Sequence, residues 1–460
     1  MLLHATVKNR IFLPSLPAEL GKQVEQQLTC INPVWASAAR FGRRAPAGTV
    51  KYLRTFEHNE KGWFLPRGWQ EEFTELAQLY GCKVSYEDKT PVFPKLITPK
   101  MPELWEYQIP WVDGLLKHRH GLGLMPPGGG KTNSALALYA VLGQPCLWLT
   151  HTKQLAQQTR ERAQSILGIE TGIIGGGKED IKHFTVGIVQ TLCQRDLSDI
   201  KVGLIVVDES QRAPSETFTT AVVGVNARYI YGLTATPYRG DGLETLMHQV
   251  LGPVRVALSR QQLRAYGKLM TPTVILRPTG FTHDYNSFSA RAWPKLERAM
   301  LRDKRRNSII TTDVVVEATS GEHRCIVLVK QVEHGQLLYD AIKAIVPQTG
   351  LIYAELGDKT VRAEIEKFTK GDHLILIATY KMLAEGFDCP AADRIFLTAA
   401  VKDRTLIEQA IGRVERIHLG KQDALVFDYA DTQVSVLREQ MEERCAIYRA
   451  NDDPITVRKA

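Results

Sequence analysis

The sequence predicts an α/β protein, with two tandem doubly wound parallel-sheet domains preceded by a small accessory α+β unit. Three observations carry this. From Cys146 onward, short apolar runs (CLWLT, TVGIVQ, LIVVDES, YIYGLTAT) alternate with helical stretches, and a second such series follows: CIVLVK, GLIYAE, LILIAT, RIFLTAA and ALVFDYA. Apolar runs bounded by polar turn residues and separated by helices read as strands buried on both faces of parallel sheets. The chain's 460 residues also exceed one ordinary core and suit two or three domains.

The elements follow in order. Residues 1–95 differ in texture, with prolines, aromatics and helical pieces such as WQEEFTELAQLYG, and the proline-rich EDKTPVFPKLITPKMP reads as the linker that closes them. The expected divisions are 1–95, an accessory unit; 96–254, the first sheet domain; 255–432, the second, opened by a basic connector; and 433–460, a C-terminal helical tail. Open parallel sheets bind ligands at the carboxyl ends of their strands, so chemistry is expected in the loops after these runs.

Composition narrows the class. With 23% charged and 44% hydrophobic residues the chain reads as globular. It has no apolar run long enough to span a bilayer, and the start MLLHATVKNRIFLPSL lacks the features of a signal peptide. Seven cysteines scattered singly, without a CxxC pair, point to reduced thiols and a cytoplasmic setting. The net charge of +8 is unevenly spread. Residues 1–100 hold fourteen Lys/Arg against nine Asp/Glu, and residues 254–310 hold twelve against three. A phosphate backbone suits two such segments, and a solvated face that only aids solubility suits the charge count equally well.

The sharpest motif is LMPPGGGKT at 124–132, ahead of the helix-forming NSALALYAVL. After Pro127, the glycines Gly128, Gly129 and Gly130 let backbone N–H groups curl around phosphate oxygens, and the helix adds its positive end. Lys131 is expected to reach the β- and γ-phosphates of ATP, and Thr132 to bind Mg2+. Met125 stands where the strict phosphate-loop pattern has glycine. The second motif, LIVVDESQ at 204–211, brings two carboxylates to a strand end. Asp208 is expected to hold Mg2+ through its water shell, and Glu209 to orient and deprotonate the attacking water.

GLTATPYRGDG at 232–242 and QAIGRVER at 409–416 resemble motifs III and VI of superfamily 2 helicases. DESQ then resembles motif II, with Gln211 where many relatives have His. Tyr107-Gln108 is similar to the adenine-reading Q element, with Trp105 where relatives show Arg; HTKQLAQQ at 151–158 resembles motif Ia, and Ala378-Thr379 through EGFDCP resembles motif V. The resemblance covers roughly residues 100–430 in the family's order. It implies two RecA-like domains and catalysis by Lys131, Asp208, Glu209, Gln211, Gln409, Arg413 and Arg416. It further implies ATP contacts at Tyr107, Gln108, Gly386 and Asp388 beside the loop from Pro127 to Thr132, and coupling through Thr234, Ala235 and Thr236. Nucleic-acid contacts are implied at Thr152, Gln154, Lys178, Thr191, Arg239 and Thr379.

Several assignments also make physical sense without the family. Arg413 and Arg416, three residues apart, would share a helical face and could stabilise charge on the γ-phosphate as arginine fingers do. Thr234 and Thr236 are short hydroxyl groups at a strand exit, suited to report the γ-phosphate or simply to make a turn. Gly175-Gly176-Gly177-Lys178 reads either as a turn touching a nucleic-acid backbone or as a plain hairpin turn.

Within the superfamily, GLTATPYRGDGL and LGPVRVALSRQQLRAYGKLMTP resemble the XPB, UvsW and restriction-motor branch. Asn32-Pro33, Phe41-Gly42-Arg43-Arg44 and Leu65-Pro66-Arg67-Gly68-Trp69 resemble the small DNA-engaging domain of phage and bacterial relatives, with Arg43 and Arg44 as DNA contacts. A structural cap on the first domain is the other reading of that unit. The expectation is a cytoplasmic ATP- and Mg2+-dependent DNA helicase or translocase, most like a phage branch-migration helicase. Its substrate would be forked, branched or single-stranded DNA, in replication, recombination or repair. The alternatives are an RNA helicase and a nucleotide-gated clamp that holds nucleic acid without turnover.

Overall fold

The computed structural model describes residues 1–458 except 41, 43, 198, 211–214, 237–242, 286–291, 322 and 385–388. The chain divides into two compact units, residues 1–126 with 130–258, and residues 259–460 with 127–129.

The first unit is built on an eight-stranded sheet. Its parallel strands run in the spatial order Thr171–Gly175, Phe184–Ile188, Cys146–Thr150, Leu204–Val207, Tyr229–Thr234, His120–Leu124, Val254–Ala257, with Lys178–Asp180 antiparallel at one edge. Trp148, Val206 and Tyr231 fill the layer on one face; Leu147, Ile205 and Ile230 fill the other. Neither face is wet, which is why these strands are apolar throughout. The last strand corrects an expected boundary. Residues 254–257 pair with the strand His120–Leu124, so the division falls after Leu258 rather than at 254.

The second unit carries a seven-stranded, wholly parallel sheet in the order Thr349–Ile352, Ile375–Thr379, Cys325–Val329, Arg394–Leu397, Leu425–Ala430, Thr273–Pro278, Ile455–Val457. Residues 433–460 are therefore more than a helical tail. The helix Ser435–Ala450 leads into an edge strand, and Arg444 from that helix forks onto both oxygens of buried Asp428 at 2.8 Å each.

The N-terminal residues form a mixed five-stranded sheet, ordered Glu57–Asn59, Gly62–Pro66, Arg10–Leu13, Leu2–Val7, Lys83–Asp88, around Ile11, Leu13, Leu20 and Phe73. This sheet is fastened to the parallel sheet of its own unit. Arg67, 3% exposed, donates to the carbonyls of Ala227 and Arg228. Arg255 grips Glu71 at 2.6 and 3.1 Å, and Thr55 bonds Gln249 at 2.6 Å. Gly68 meets the end of the helix Glu244–Leu251 so closely that a Cβ there would lie 2.3 Å from the Gly252 nitrogen. Only glycine fits such an approach.

In the basic stretch 254–310, six of the twelve cations are engaged in ion pairs within the protein, among the described residues. Arg255 pairs with Glu71, Arg260 and Arg264 with Glu415, Arg277 with Asp313, Arg302 with Glu333, and Arg306 with Asp431. Neither reading of the charge count foresaw this, because a count carries no information about partners. Among the described residues, no helix is long and apolar enough to cross a membrane.

Candidate active site

The glycine-rich loop follows the strand His120–Leu124 and ends in the helix Lys131–Leu142. Gly128 and Gly130 take φ of +85° and +86°, the left-handed backbone that turns successive N–H groups inward. Neighbouring elements brace the loop. Trp111 Nε1 donates to the Leu124 carbonyl at 3.0 Å, and the Met125 N–H donates to the Thr234 carbonyl at 3.0 Å. Gln108, 1% exposed, accepts from the Trp105 N–H at 3.0 Å, and its amide lies 3.5 Å from the Gly130 carbonyl. A Cβ on Gly130 would come within 2.3 Å of that amide nitrogen. Gln108 thus acts here as a brace behind the phosphate loop. Tyr107, 2% exposed, precedes it, and burial raises its phenol above the usual range.

Lys131 lies across the loop mouth, with Nζ donating to the Met125 carbonyl at 3.0 Å. Thr132, half-buried, has its hydroxyl 3.5 Å from an Arg162 guanidinium nitrogen. Asp208 leaves the central strand Leu204–Val207, its N–H donating to the Leu149 carbonyl at 3.0 Å, and its carboxylate accepts the Glu209 N–H at 2.9 Å. Glu209 has φ +49°, uncommon for a residue with a side chain and costly unless the site requires it. Burial and the adjoining Glu209 carboxylate push Asp208 up to about 6, against the pull of Lys131 and Arg162. Adjacent carboxylates at a strand end, one of them raised by burial, together with the Thr132 hydroxyl and the glycine-rich loop, fit a divalent cation on a nucleotide phosphate.

The hydroxyl of Thr234 donates to the Thr236 carbonyl at 2.5 Å and accepts the Thr236 N–H at 3.1 Å, closing a turn around Ala235. Turn chemistry is therefore present. The same strand end holds Met125, whose carbonyl holds Lys131, so this turn and the phosphate loop share a chain of bonds.

The remaining expected residues fall in different places. Thr152 caps the helix Lys153–Leu167 by accepting the Leu155 N–H at 3.2 Å, and Gln154 sits half-buried in its first turn. Gly176 and Gly177, φ +63° and +81°, make a two-residue hairpin turn between Gly175 and Lys178. Lys178 is exposed, and a Cβ on Gly176 would lie 3.3 Å from Lys153, a cation sequence reasoning passed over. Thr191 is half-buried, and Thr379 is buried at the end of its strand. Gln409 is buried within the helix Arg404–Val414, and Arg413 is half-buried one residue before that helix ends. Arg416 corrects an expectation. It lies beyond the helix, bridged to Leu269, so the two arginines do not share a helical face. Arg44 is exposed, whereas Gln211, Arg239, Gly386, Asp388, Phe41 and Arg43 lie outside the described residues.

Two families match in tandem. The Type III restriction enzyme, res subunit family covers residues 101–239, and the Helicase conserved C-terminal domain family covers residues 306–418. The chain is 34% identical over 163 residues to the DNA 3'-5' translocase XPB2 of Sulfurisphaera tokodaii, a stretch covering 35% of this chain and 37% of the relative. To the probable helicase D10 of Escherichia phage T5 it is 26% identical over 337 residues, 71% of this chain and 70% of that one. The solved structure of S. cerevisiae Dbp5 bound to RNA and ADP BeF3 matches with a TM-score of 0.58 at 15% identity, over 77% of this chain and 89% of that one. That likeness concerns the fold, two tandem RecA-like domains.

Proposed function

The chain belongs to the superfamily 2 helicases, and from that premise we propose that it is an ATP-driven DNA helicase or translocase working on forked or branched DNA. One observation carries the reading. The adjacent carboxylates Asp208 and Glu209 follow the strand Leu204–Val207, and the phosphate loop's Lys131 is bonded, through Met125, to the turn at Thr234.

Thr132 and Asp208 are the residues that would hold Mg2+. Bound there, the metal supplies a Lewis acid that spreads charge from the phosphates. Glu209 orients a water and accepts its proton, Lys131 follows the β- and γ-phosphates, and Arg413 and Arg416 add positive charge at the γ-phosphate. Loss of that phosphate frees Lys131 and alters the strand end at Thr234, a route from the nucleotide to the loops beyond.

Support for DNA comes from the relatives, XPB2 being a DNA translocase by name. Support for a branch-reading surface comes from the N-terminal unit. There the Lys51 ammonium lies 4.8 Å from the Trp35 ring and 5.0 Å from the Tyr52 ring, near exposed Arg54. Cations can take phosphates and aromatics can stack splayed bases.

The test is ATPase rate with single-stranded DNA, duplex, fork, four-way junction and RNA, followed by unwinding of fork and linear duplex. Branched DNA should stimulate most and be unwound fastest. Equal stimulation by every DNA would remove the branch preference, and stimulation by RNA alone would overturn the DNA reading.

A further inference from the structure

The turn that carries Arg416 and follows Arg413 is held from several directions. Glu415, fully buried, caps the helix Arg404–Val414; one of its carboxylate oxygens takes Arg260, and the other takes Arg264 at 2.6 Å. Its carbonyl accepts the Met270 N–H at 2.7 Å, and Leu269 bridges Arg416. Lys421 Nζ donates to the carbonyls of Val414, Arg416 and Ala392, the last two at 3.0 and 2.7 Å. Arg260 also reaches the Glu408 carbonyl at 2.8 Å, about two turns back on the same helix, and Arg264 reaches Asp453 at 2.5 Å.

So much polar machinery is not needed to seal a helix end. Apolar side chains of similar volume would serve stability as well or better. What the clamp adds is a fixed backbone after Arg413, with the carbonyls of Val414, Glu415 and Arg416 and the Glu415 side chain tied down. A charged group acting on a phosphoryl transfer loses effect steeply with small misplacement.

We propose that Glu415 and Lys421 are positioning residues that set the two arginines for hydrolysis, with the helix Arg260–Ala265 as their anchor. This rests on the reading of Arg413 and Arg416 as fingers. The anchor helix begins two residues after Leu258, where the first unit ends. The clamp therefore ties the arginines to the segment that leaves the nucleotide-holding sheet.

The experiment uses the full chain with saturating single-stranded DNA, and measures melting, kcat and KM for ATP in Glu415→Gln, Lys421→Met and Lys421→Arg. Each is made alone and with Arg413→Ala and Arg416→Ala together. The expected result is KM within about threefold of wild type and kcat reduced roughly tenfold or more in Glu415→Gln and Lys421→Met, with partial recovery in Lys421→Arg. In the background lacking both arginines the same changes should add no more than about twofold, since they act through those two side chains. Unchanged kcat overturns the proposal, and so does an equal loss in both backgrounds, which would mark mere structural damage. Should Glu415→Gln fail to melt cooperatively, Lys421→Met decides. Arg413→Ala and Arg416→Ala alone test the finger reading separately. If both turn over at wild-type rate, that reading fails, whereas a slow Arg413→Ala beside a normal Glu415→Gln defeats only the positioning role.

Discussion

Each unit carries an aspartate on a central strand or at its end, and the two live under opposite conditions. Asp428, in the strand Leu425–Ala430, is sealed from solvent, with Arg444 on both oxygens and the Tyr448 hydroxyl donating at 2.7 Å. Asp208, just past the strand Leu204–Val207, is pushed up to about 6 by burial and by the Glu209 carboxylate, which outweigh the pull of Lys131 and Arg162. The same strand geometry thus serves two ends. Where the chain supplies the counter-charge, the aspartate is part of the frame. Where burial and a second carboxylate outweigh the nearby Lys131 and Arg162, the aspartate is left favouring a proton or a cation. The second unit repeats the first solution at Arg306, whose Nε lies 3.0 and 3.2 Å from the two Asp431 oxygens.

The contrast can be broken most severely at Glu209. Glu209→Gln should leave ATP and DNA binding near wild type and reduce turnover by about 10³-fold, the scale of a lost general base. Wild-type hydrolysis in this variant would place the base elsewhere. On the sealed side, Arg444→Met should strand a buried carboxylate and cost about 3–5 kcal/mol, read as a lower Tm and denaturant midpoint. A loss under 1 kcal/mol would mean that Asp428 is not the sealed group described.

Asp208→Asn should do the reverse to stability. The folded-state value is raised above the unfolded one, so the ligand-free protein gives up stability as pH rises from about 4 through 6. Asparagine removes that loss. At pH 7.5 the variant should melt a few degrees higher, a gain on the order of 1–2 kcal/mol, while ATPase disappears. At pH 4 the gain should vanish, and a lower Tm at pH 7.5 would contradict the electrostatic account. The smallest effect sharpens the same point. At limiting Mg2+, ATPase should fall as pH drops through about 6, and added Mg2+ should move that midpoint downward, since proton and metal compete for Asp208. A midpoint indifferent to Mg2+ would argue against Asp208 as a ligand.

The sheets were readable from LIVVDES, CIVLVK and their kin because burial on both faces leaves a local trace in the sequence. The phosphate loop and the Asp208–Glu209 pair were readable for a similar reason: their chemistry sits in consecutive residues. What escaped was whatever depends on distant partners. Twelve cations in residues 254–310 look alike in sequence, yet Arg260 and Arg264 are spent on Glu415 and Arg306 on Asp431. Three-residue spacing put Arg413 and Arg416 on one helical face, but the helix ends at Val414, between them. Gln108 matched a base-reading motif, and its bracing of Gly130 shows only in three dimensions.

The join made by Arg67 and Gly68 has a mechanical side. A load on the rim of the small N-terminal sheet has a stiff, short path inward. It runs through Gly68 onto Gly252, along the helix Glu244–Leu251, and through Arg67 onto the carbonyls that open the strand Tyr229–Thr234. A hinge there would need slack, and a contact that excludes even a methyl group leaves none. The small sheet is therefore rigidly joined to the unit that carries Lys131 and Asp208, and the two move as one piece.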